Sequence, residues 1–186
     1  MDTFLQPIDK PSSFGMRLAF FFTKKKFGKV LMPLMVHSNR LPSAFGMFYG
    51  KLPELDKKLE LSQETALLVR QRVAQINICE FCIDASRSYS IERNYSQKKF
   101  DDLANYNSSS LFTEAEKIAL DYTTELTKDK KINPETFDKL KKHFSEREIC
   151  EMIYLISSEH LYNLTNIGLN INSDMLCDII KKNNSK

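Results

Sequence analysis

Apolar residues recur along this chain at the three- and four-residue spacing of an α-helix, and no segment sustains the alternation of a half-buried strand. Ala66, Val69, Val73 and Ile76 stand three, four and three apart and form one apolar stripe. Arg70, Arg72 and Gln75 fall off it and are expected to face water or a neighbouring subunit. Upstream, residues 55–62 (LDKKLELS) lead into that run. Thr113 with Glu116 and Ser145 with Glu148 are capping boxes, each opening an apolar-periodic run. Asn133-Pro134 supplies a polar N-cap and a proline where its missing amide hydrogen costs nothing, which predicts a short helix to about His143. Further helices are predicted over residues 97–106 and 150–167, with a loop over 105–110 (NYNSSS) between the first of them and Thr113. The pattern therefore predicts an all-α chain, with no internal repeat and a frayed end at residues 181–186 (KKNNSK).

Residues 16–22 (MRLAFFF), followed by Lys24, Lys25 and Lys26, are too short an apolar run for a secretory segment or for a spanning helix of about 20 residues. They are expected to form a buried or subunit-contacting helix with a solvated basic tail, and no membrane association is expected. A chain of 186 residues, 42% of them hydrophobic, supports one sizeable core and so a single domain. The 27 basic and 24 acidic side chains leave a formal charge of +3. Because the lysines are scattered, the charge gives no support for nucleic-acid binding. Four cysteines do not make a disulfide-stapled secreted scaffold, and without an export signal the expected compartment is the reducing cytoplasm.

Candidate chemistry concentrates in residues 76–84 (INICEFCID). Cys79 and Cys82, three apart, share one helical face and are close enough for a disulfide after modest side-chain adjustment. Asn77 with Glu80 is itself a capping signal; if a helix restarts there, both thiols sit in its first turn, where the dipole favours the nucleophilic thiolate. Two other readings of a lone CxxC stay open: half of a structural zinc site, although Cys150 and Cys177 stand alone and no His-x-x-x-His exists, or two inert buried cysteines. Neither a metal nor another cofactor is expected.

Residues 72–82 (RVAQINICEFC) resemble the AhpD-like, carboxymuconolactone-decarboxylase-type pattern, in which a helix leads into Cys-x-x-Cys. Residues 112–128 (FTEAEKIALDYTTELTK) are similar to the family's helix after the cysteines, and 137–152 (FDKLKKHFSEREICEM) to its next two elements. Tyr162-Asn163-Leu164-Thr165-Asn166 resembles the aromatic-Asn-x-x-Asn segment that closes the family core. The resemblance implies a single-domain, AhpD-like helical bundle with its core over residues 55–175, a helical extension at 1–54 packing on it, and a tail at 176–186. It also implies a homo-oligomer, trimer or hexamer, with the cysteines near subunit contacts.

The family's redox members imply a thiol-dependent peroxidase or disulfide reductase in antioxidant defence. By resemblance, Cys82 attacks a peroxide oxygen and becomes a sulfenic acid, Cys79 resolves it to a disulfide, and a dithiol or lipoylated protein restores the thiols. The family's proton relay places a glutamate twelve residues before the first cysteine and a histidine four after the second. Here those positions hold Leu67 and Ser86, and Ser86 can hydrogen-bond Cys82 but cannot act as an ordinary base. Ile78 replaces the family's glycine before the first cysteine, which argues for a continuous helix there.

Glu64, one turn before Leu67, and His160, three residues before Asn163, are the candidate substitute bases, with His160 preferred. Asp84, Arg87 and Tyr89 flank the pair; Arg87 would help a thiolate and Asp84 would hinder it. His37 and His143 are expected at the surface or at caps, and Asn163 and Asn166 in packing and backbone hydrogen bonds first and substrate contact second. The competing functional classes are the lactone-acid decarboxylase that names the family, which lacks a CxxC, and a non-catalytic helical oligomer with a redox-sensing or structural role.

Overall fold

The computed structural model describes residues 3–184, and no strand occurs among them. An N-terminal extension holds α1 (Phe14–Phe27), α2 (Pro42–Gly46), α3 (Leu52–Asp56) and two π-helical turns, Leu34–Ser38 and Met47–Lys51. The bundle follows with α4 (Gln63–Ile76), α5 (Glu80–Glu92), α6 (Gln97–Asp101), α7 (Glu114–Lys128), α8 (Pro134–Leu140) and α9 (Glu146–Ile167), and α10 (Leu176–Asn184) closes the chain.

The capping residues define the bundle's register. Thr113 and Ser145 each make both hydrogen bonds of a capping box, to Glu116 and Glu148. Asn133 accepts from the Glu135 amide with Pro134 in the first turn, and Ser62 accepts from the Thr65 amide. The predicted stripe of α4 is buried at Ala66, Val69 and Val73 against Ile118, Ala119 and Tyr122 of α7 and Met152 and Leu155 of α9. Leu67 and Leu68, on another side of α4, pack with Phe100, Leu103, Tyr106 and Phe112.

Several expectations are corrected. The helix predicted over 97–106 breaks at Asp102, whose ψ of 9° leaves helical geometry, so α6 is followed by a separate 3-10 turn at Leu103–Asn105. Arg70 does not face water: its side chain is 12% exposed and paired with Asp56 and Glu159. Arg72 is half-buried, with its guanidinium 5.2 Å from the Tyr106 ring centre and its Nε donating to Thr124. Gln75 carries a buried Oε1. His37 is half-buried against the Phe48 ring, at 5.5 Å, and burial lowers its pKa. The chain end expected to fray is helical through Asn184, while Ser185 and Lys186 lie outside the described residues.

The extension is tied to the bundle by polar contacts. Tyr154 donates to the Leu52 carbonyl at 2.8 Å, Tyr162 to the Phe48 carbonyl at 2.7 Å, and Asp174 pairs with Lys29 at 2.6 Å. Its second π-turn has a local cause. Pro53 has no N–H for the Tyr49 carbonyl, and the chain ahead widens so that the Leu52 amide bonds Met47, five residues back. On α1, Met16 and Phe20 are buried while Phe14, Phe21 and Phe22 remain exposed. No helix among the described residues is long and apolar enough to cross a membrane.

Asp84 is neither free nor turned toward the sulfurs. From α5 it accepts the Leu176 amide at 2.7 Å, the Cys177 amide at 3.0 Å and the Ser173 hydroxyl at 2.8 Å, so it caps α10 from across the interface. Burial would raise the Asp84 pKa, but these donors outweigh it and hold the carboxyl below its ordinary value. A depressed folded pKa contributes stability above the unfolded value of about 4 that is lost as pH falls through the folded one. Asp84→Ala is expected to cost about 1–3 kcal/mol by orphaning two amides, read as faster hydrogen exchange at Leu176 and Cys177 and a lower melting temperature.

Candidate active site

The site begins where α4 stops. The Ile78 amide bonds Gln75 O at 3.2 Å and the Cys79 amide bonds Ala74 O at 3.0 Å, the paired bonds of a Schellman cap. That cap needs a left-handed residue between them, and Ile78 adopts it, with φ 58°. The helix expected to continue through a non-glycine position therefore breaks, because two capping bonds and an immediate new helix outweigh the local steric cost. The Ile78 side chain is 78% exposed and loses little packing by pointing outward.

Cys79, the residue after this cap, is also the N-cap of α5, and Cys82 lies in its first turn. Both are buried, at 1% and 5% exposure, beside Ala74, Phe81, Ile83 and Tyr162. The Cys82 thiol, directed at the Cys79 sulfur, is the main influence lowering the Cys79 pKa; burial opposes it and the Cys82 N–H assists. The N–H approach falls short of a full capping hydrogen bond. Cys82 is pushed the other way by Cys79, by burial and by Glu159, and the two thiols titrate as a pair.

Glu159 is the residue that sequence reasoning missed. The residue is 5% exposed, and its carboxylate receives Arg70 Nη1 at 3.2 Å and Asn163 Nδ2 at 2.7 Å and acts electrostatically on the Cys82 thiol. Burial raises its pKa, while Arg70 and the hydrogen bonds draw it back. Asn166 Nδ2 lies 3.4 Å from the Cys82 sulfur, and Asn77 Nδ2 donates to Asn163 Oδ1 at 2.9 Å. Asn163 and Asn166 thus serve the site through their side chains, not the backbone contacts expected of them. A signal was present: the buried face of α9 runs Met152, Leu155, Ile156, Glu159, Asn163, Asn166, so polar residues continue an apolar stripe.

The expected substitute bases lie elsewhere. Glu64 pairs with Lys99 at 3.2 Å, and Lys99 also holds Glu116 at 2.7 Å, so the structure does not bring Glu64 to the sulfurs. His160 is directed to other groups: its Nδ1 is 3.0 Å from Asn77 Nδ2 and its Nε2 is 3.5 Å from Lys130 Nζ. Burial and the Lys130 charge both lower its pKa. Ser86 is buried one turn beyond Cys82 on α5, and Leu67 stays in the apolar cluster around Phe100. Arg87 pairs with Asp101. A cavity of about 380 Å³ between α5 and α10, lined by Asp84, Arg87 and Cys177, is reached by neither Cys79 nor Cys82. Among the described residues no group of three or more His, Cys, Asp or Glu side chains could hold a metal ion.

The bundle resembles the alkylhydroperoxidase AhpD core of an uncharacterized peroxidase-related protein from Ralstonia eutropha JMP134, with a TM-score of 0.76 at 18% identity over 92% of this chain and 93% of that one. In sequence, the Escherichia coli K12 protein YnjA, itself uncharacterized, is 30% identical over 167 residues, covering 86% of this chain and 88% of YnjA. The chain belongs to one family with YnjA and has the AhpD-like fold. Members of this fold differ in chemistry. The debrominase Bmp8, solved as a cysteine-to-alanine variant with 2,3,4-tribromopyrrole, has a TM-score of 0.80 at 16% identity over 98% of both chains. No family model matches the sequence. Within the AhpD-like frame, this chain lacks the relay glutamate at Leu67 and supplies a carboxylate from α9 at Glu159.

The left-handed turn yields a direct test. A β-branched residue at this φ is a genuine outlier, and glycine takes the conformation without a steric penalty. After glycine's greater loss of backbone entropy is subtracted, Ile78→Gly is expected to stabilise the protein by about 0.5–1 kcal/mol, measured by denaturant unfolding.

Proposed function

We propose that this AhpD-like protein is a thiol-dependent reductant of peroxides, cycling Cys79 and Cys82 between dithiol and disulfide with Glu159 as proton acceptor. The observation that carries the reading is the buried Cys79–Cys82 pair beside one polar face of α9, where Asn166 Nδ2 lies 3.4 Å from the Cys82 sulfur and Asn163 Nδ2 donates to the buried Glu159 carboxylate at 2.7 Å. As the Cys82 proton passes to Glu159 and the Cys79 proton to Cys82, Cys79 is left as thiolate at a helix N-terminus. Its electron pair attacks one peroxide oxygen and the O–O bond breaks. The departing alkoxide takes the proton from Glu159, giving an alcohol and a sulfenic acid on Cys79. Cys82 then attacks that sulfur, its proton leaves with the hydroxyl as water, and the disulfide forms. A dithiol donor, such as a lipoylated protein, returns two electrons and two protons.

This order reverses the one carried by family resemblance, in which Cys82 attacks. The N-cap position of Cys79 and the opposite directions in which the two thiols are shifted support the reversal. One equivalent of hydrogen peroxide is expected to remove two thiols and link Cys79 to Cys82, with Cys150 and Cys177 still reduced on peptide mapping. Cys82→Ser should leave a dimedone-reactive sulfenic acid on Cys79, whereas Cys79→Ser should leave none. Glu159→Gln should slow the first step about a hundredfold at neutral pH. A bridge through Cys150 or Cys177, or a rate indifferent to both substitutions, would reject the assignment.

The likeness to Bmp8 over nearly its whole length favours a second reading, reductive dehalogenation. Phe48 of the extension meets Tyr162 edge-on at 5.4 Å, and Tyr162 packs with the sulfur pair, which places aromatic surface beside the thiols. Here a thiolate would take bromine from an aryl carbon, the carbon would gain a proton, and the second thiol would release bromide and close the disulfide. Bromide release from 2,3,4-tribromopyrrole, with no turnover of peroxide, would select it.

A homo-oligomer, trimer or hexamer, belongs to the same proposal, because Phe14, Phe21 and Phe22 on α1 and Leu164 on α9 leave large apolar side chains in water. Light scattering is expected to give a multiple of 21.6 kDa, and a monomer at micromolar concentration would exclude it. A cytoplasmic location, where the pair would rest as thiols, fits this use.

A further inference from the structure

Arg70 stands between two carboxylates and divides unequally. Its Nη2 donates to both oxygens of Asp56, at 2.9 and 3.0 Å, while its Nη1 reaches only Oε2 of Glu159, at 3.2 Å. Asp56, the last residue of α3, is 34% exposed in its side chain, and Glu159 is 7% exposed. The closer, two-oxygen contact thus goes to the carboxylate that water also serves, and the buried one, with greater need of a counter-charge, takes the longer bond. Tyr154 fixes the arrangement by donating its hydroxyl to Asp56 Oδ1 at 2.9 Å.

We infer, on the reading of the sulfur pair as a thiol reductant, that Asp56 is a positioning residue for that chemistry: by holding the Arg70 fork it keeps Glu159 under-neutralised and able to take the proton leaving the pair. The extension is then more than a cover for the bundle, since it contributes the charge that tunes the site. Around Glu159 stand Arg70 from α4, Cys79 and Cys82 from α5, and Tyr162 and Asn163 from its own helix, with Asp56 behind Arg70. The Tyr49 phenol lies beyond, near Cys82 and Tyr162. Burial pushes both phenols above their ordinary value, so they stay neutral, and Arg70 stays charged. His160 is directed to Asn77 and Lys130 instead. Glu159 and the sulfur pair are left as the groups between which a proton can pass.

The test reads Glu159 itself, in the full-length protein labelled with δ-carbon-13 glutamate, its resonance identified by loss in Glu159→Gln. Asp56→Asn keeps the shape and an acceptor for Tyr154 but removes the charge. It is expected to lower the Glu159 titration midpoint by about one pH unit, tenfold in proton affinity, and to move the acid limb of thiol loss to hydrogen peroxide by the same interval. Asp56→Glu should restore both toward wild type, which a merely structural role for Asp56 would not require. A Glu159 midpoint equal in wild type and Asp56→Asn overturns the inference, as does Asp56→Glu behaving like Asp56→Asn. Wild-type thiols that survive peroxide at every pH would sink the peroxidase reading alone, because the Glu159 midpoint is measured without peroxide and still decides for or against Asp56.

Discussion

A carboxylate buried inside a helical bundle must be paired, hydrogen-bonded or protonated, and Glu159 imposes that constraint on everything around it. Arg70 is drawn inward from α4 to meet it, and Asn163 turns its amide toward it from one helical turn away. Asn77, at the end of α4, holds Asn163 in place, and α5 restarts immediately afterwards with its first turn against the same carboxylate. The break at Ile78 and the position of the two sulfurs are therefore parts of one arrangement. Removing only one partner would leave an uncompensated charge, which is why such a cluster is costly to dismantle piecemeal.

The consequence for chemistry is a division of labour within a CxxC pair. Cys82 is the main influence lowering the Cys79 pKa, while Cys79, burial and Glu159 act against charge on Cys82, and Glu159 opposes it on Cys79 as well. The two sulfurs are thus shifted in opposite directions despite their adjacency. Although Leu67 stands where the family's relay glutamate is expected, the proposed reading gives the proton-accepting role to a carboxylate from a different helix, Glu159. Asn166, near the Cys82 sulfur, and Asn163, on Glu159, supply the amide donors that keep this polar pocket satisfied.

What could be read from the chain was what local interactions decide. Thr113, Ser145 and Asn133 cap their helices as expected because each cap is settled within three residues. The stripe through Ala66, Val69 and Val73 was legible for the same reason. Arg70 was misplaced because a helical pattern treats arginine as outward-facing, and its partner Glu159 lies 89 residues away in sequence. Ile78 was expected to prevent a bend because its intrinsic preference opposes one, yet capping bonds on either side overrode that preference. Glu64 shared a helical side with Leu67, but Lys99, from an element that sequence alone does not bring near, claims its carboxylate.

On the proposed thiol chemistry, Cys79 ionises first and Cys82 keeps its proton. It is tested most directly by thiolate absorbance near 240 nm as a function of pH, in protein carrying Cys150→Ser and Cys177→Ser so that only the pair contributes. One thiolate's absorbance is expected to appear below the ordinary thiol value of about 8.5 and to be lost in Cys79→Ser, with the second sulfur silent through the accessible range. Two sulfurs ionising together at or above that value would contradict it.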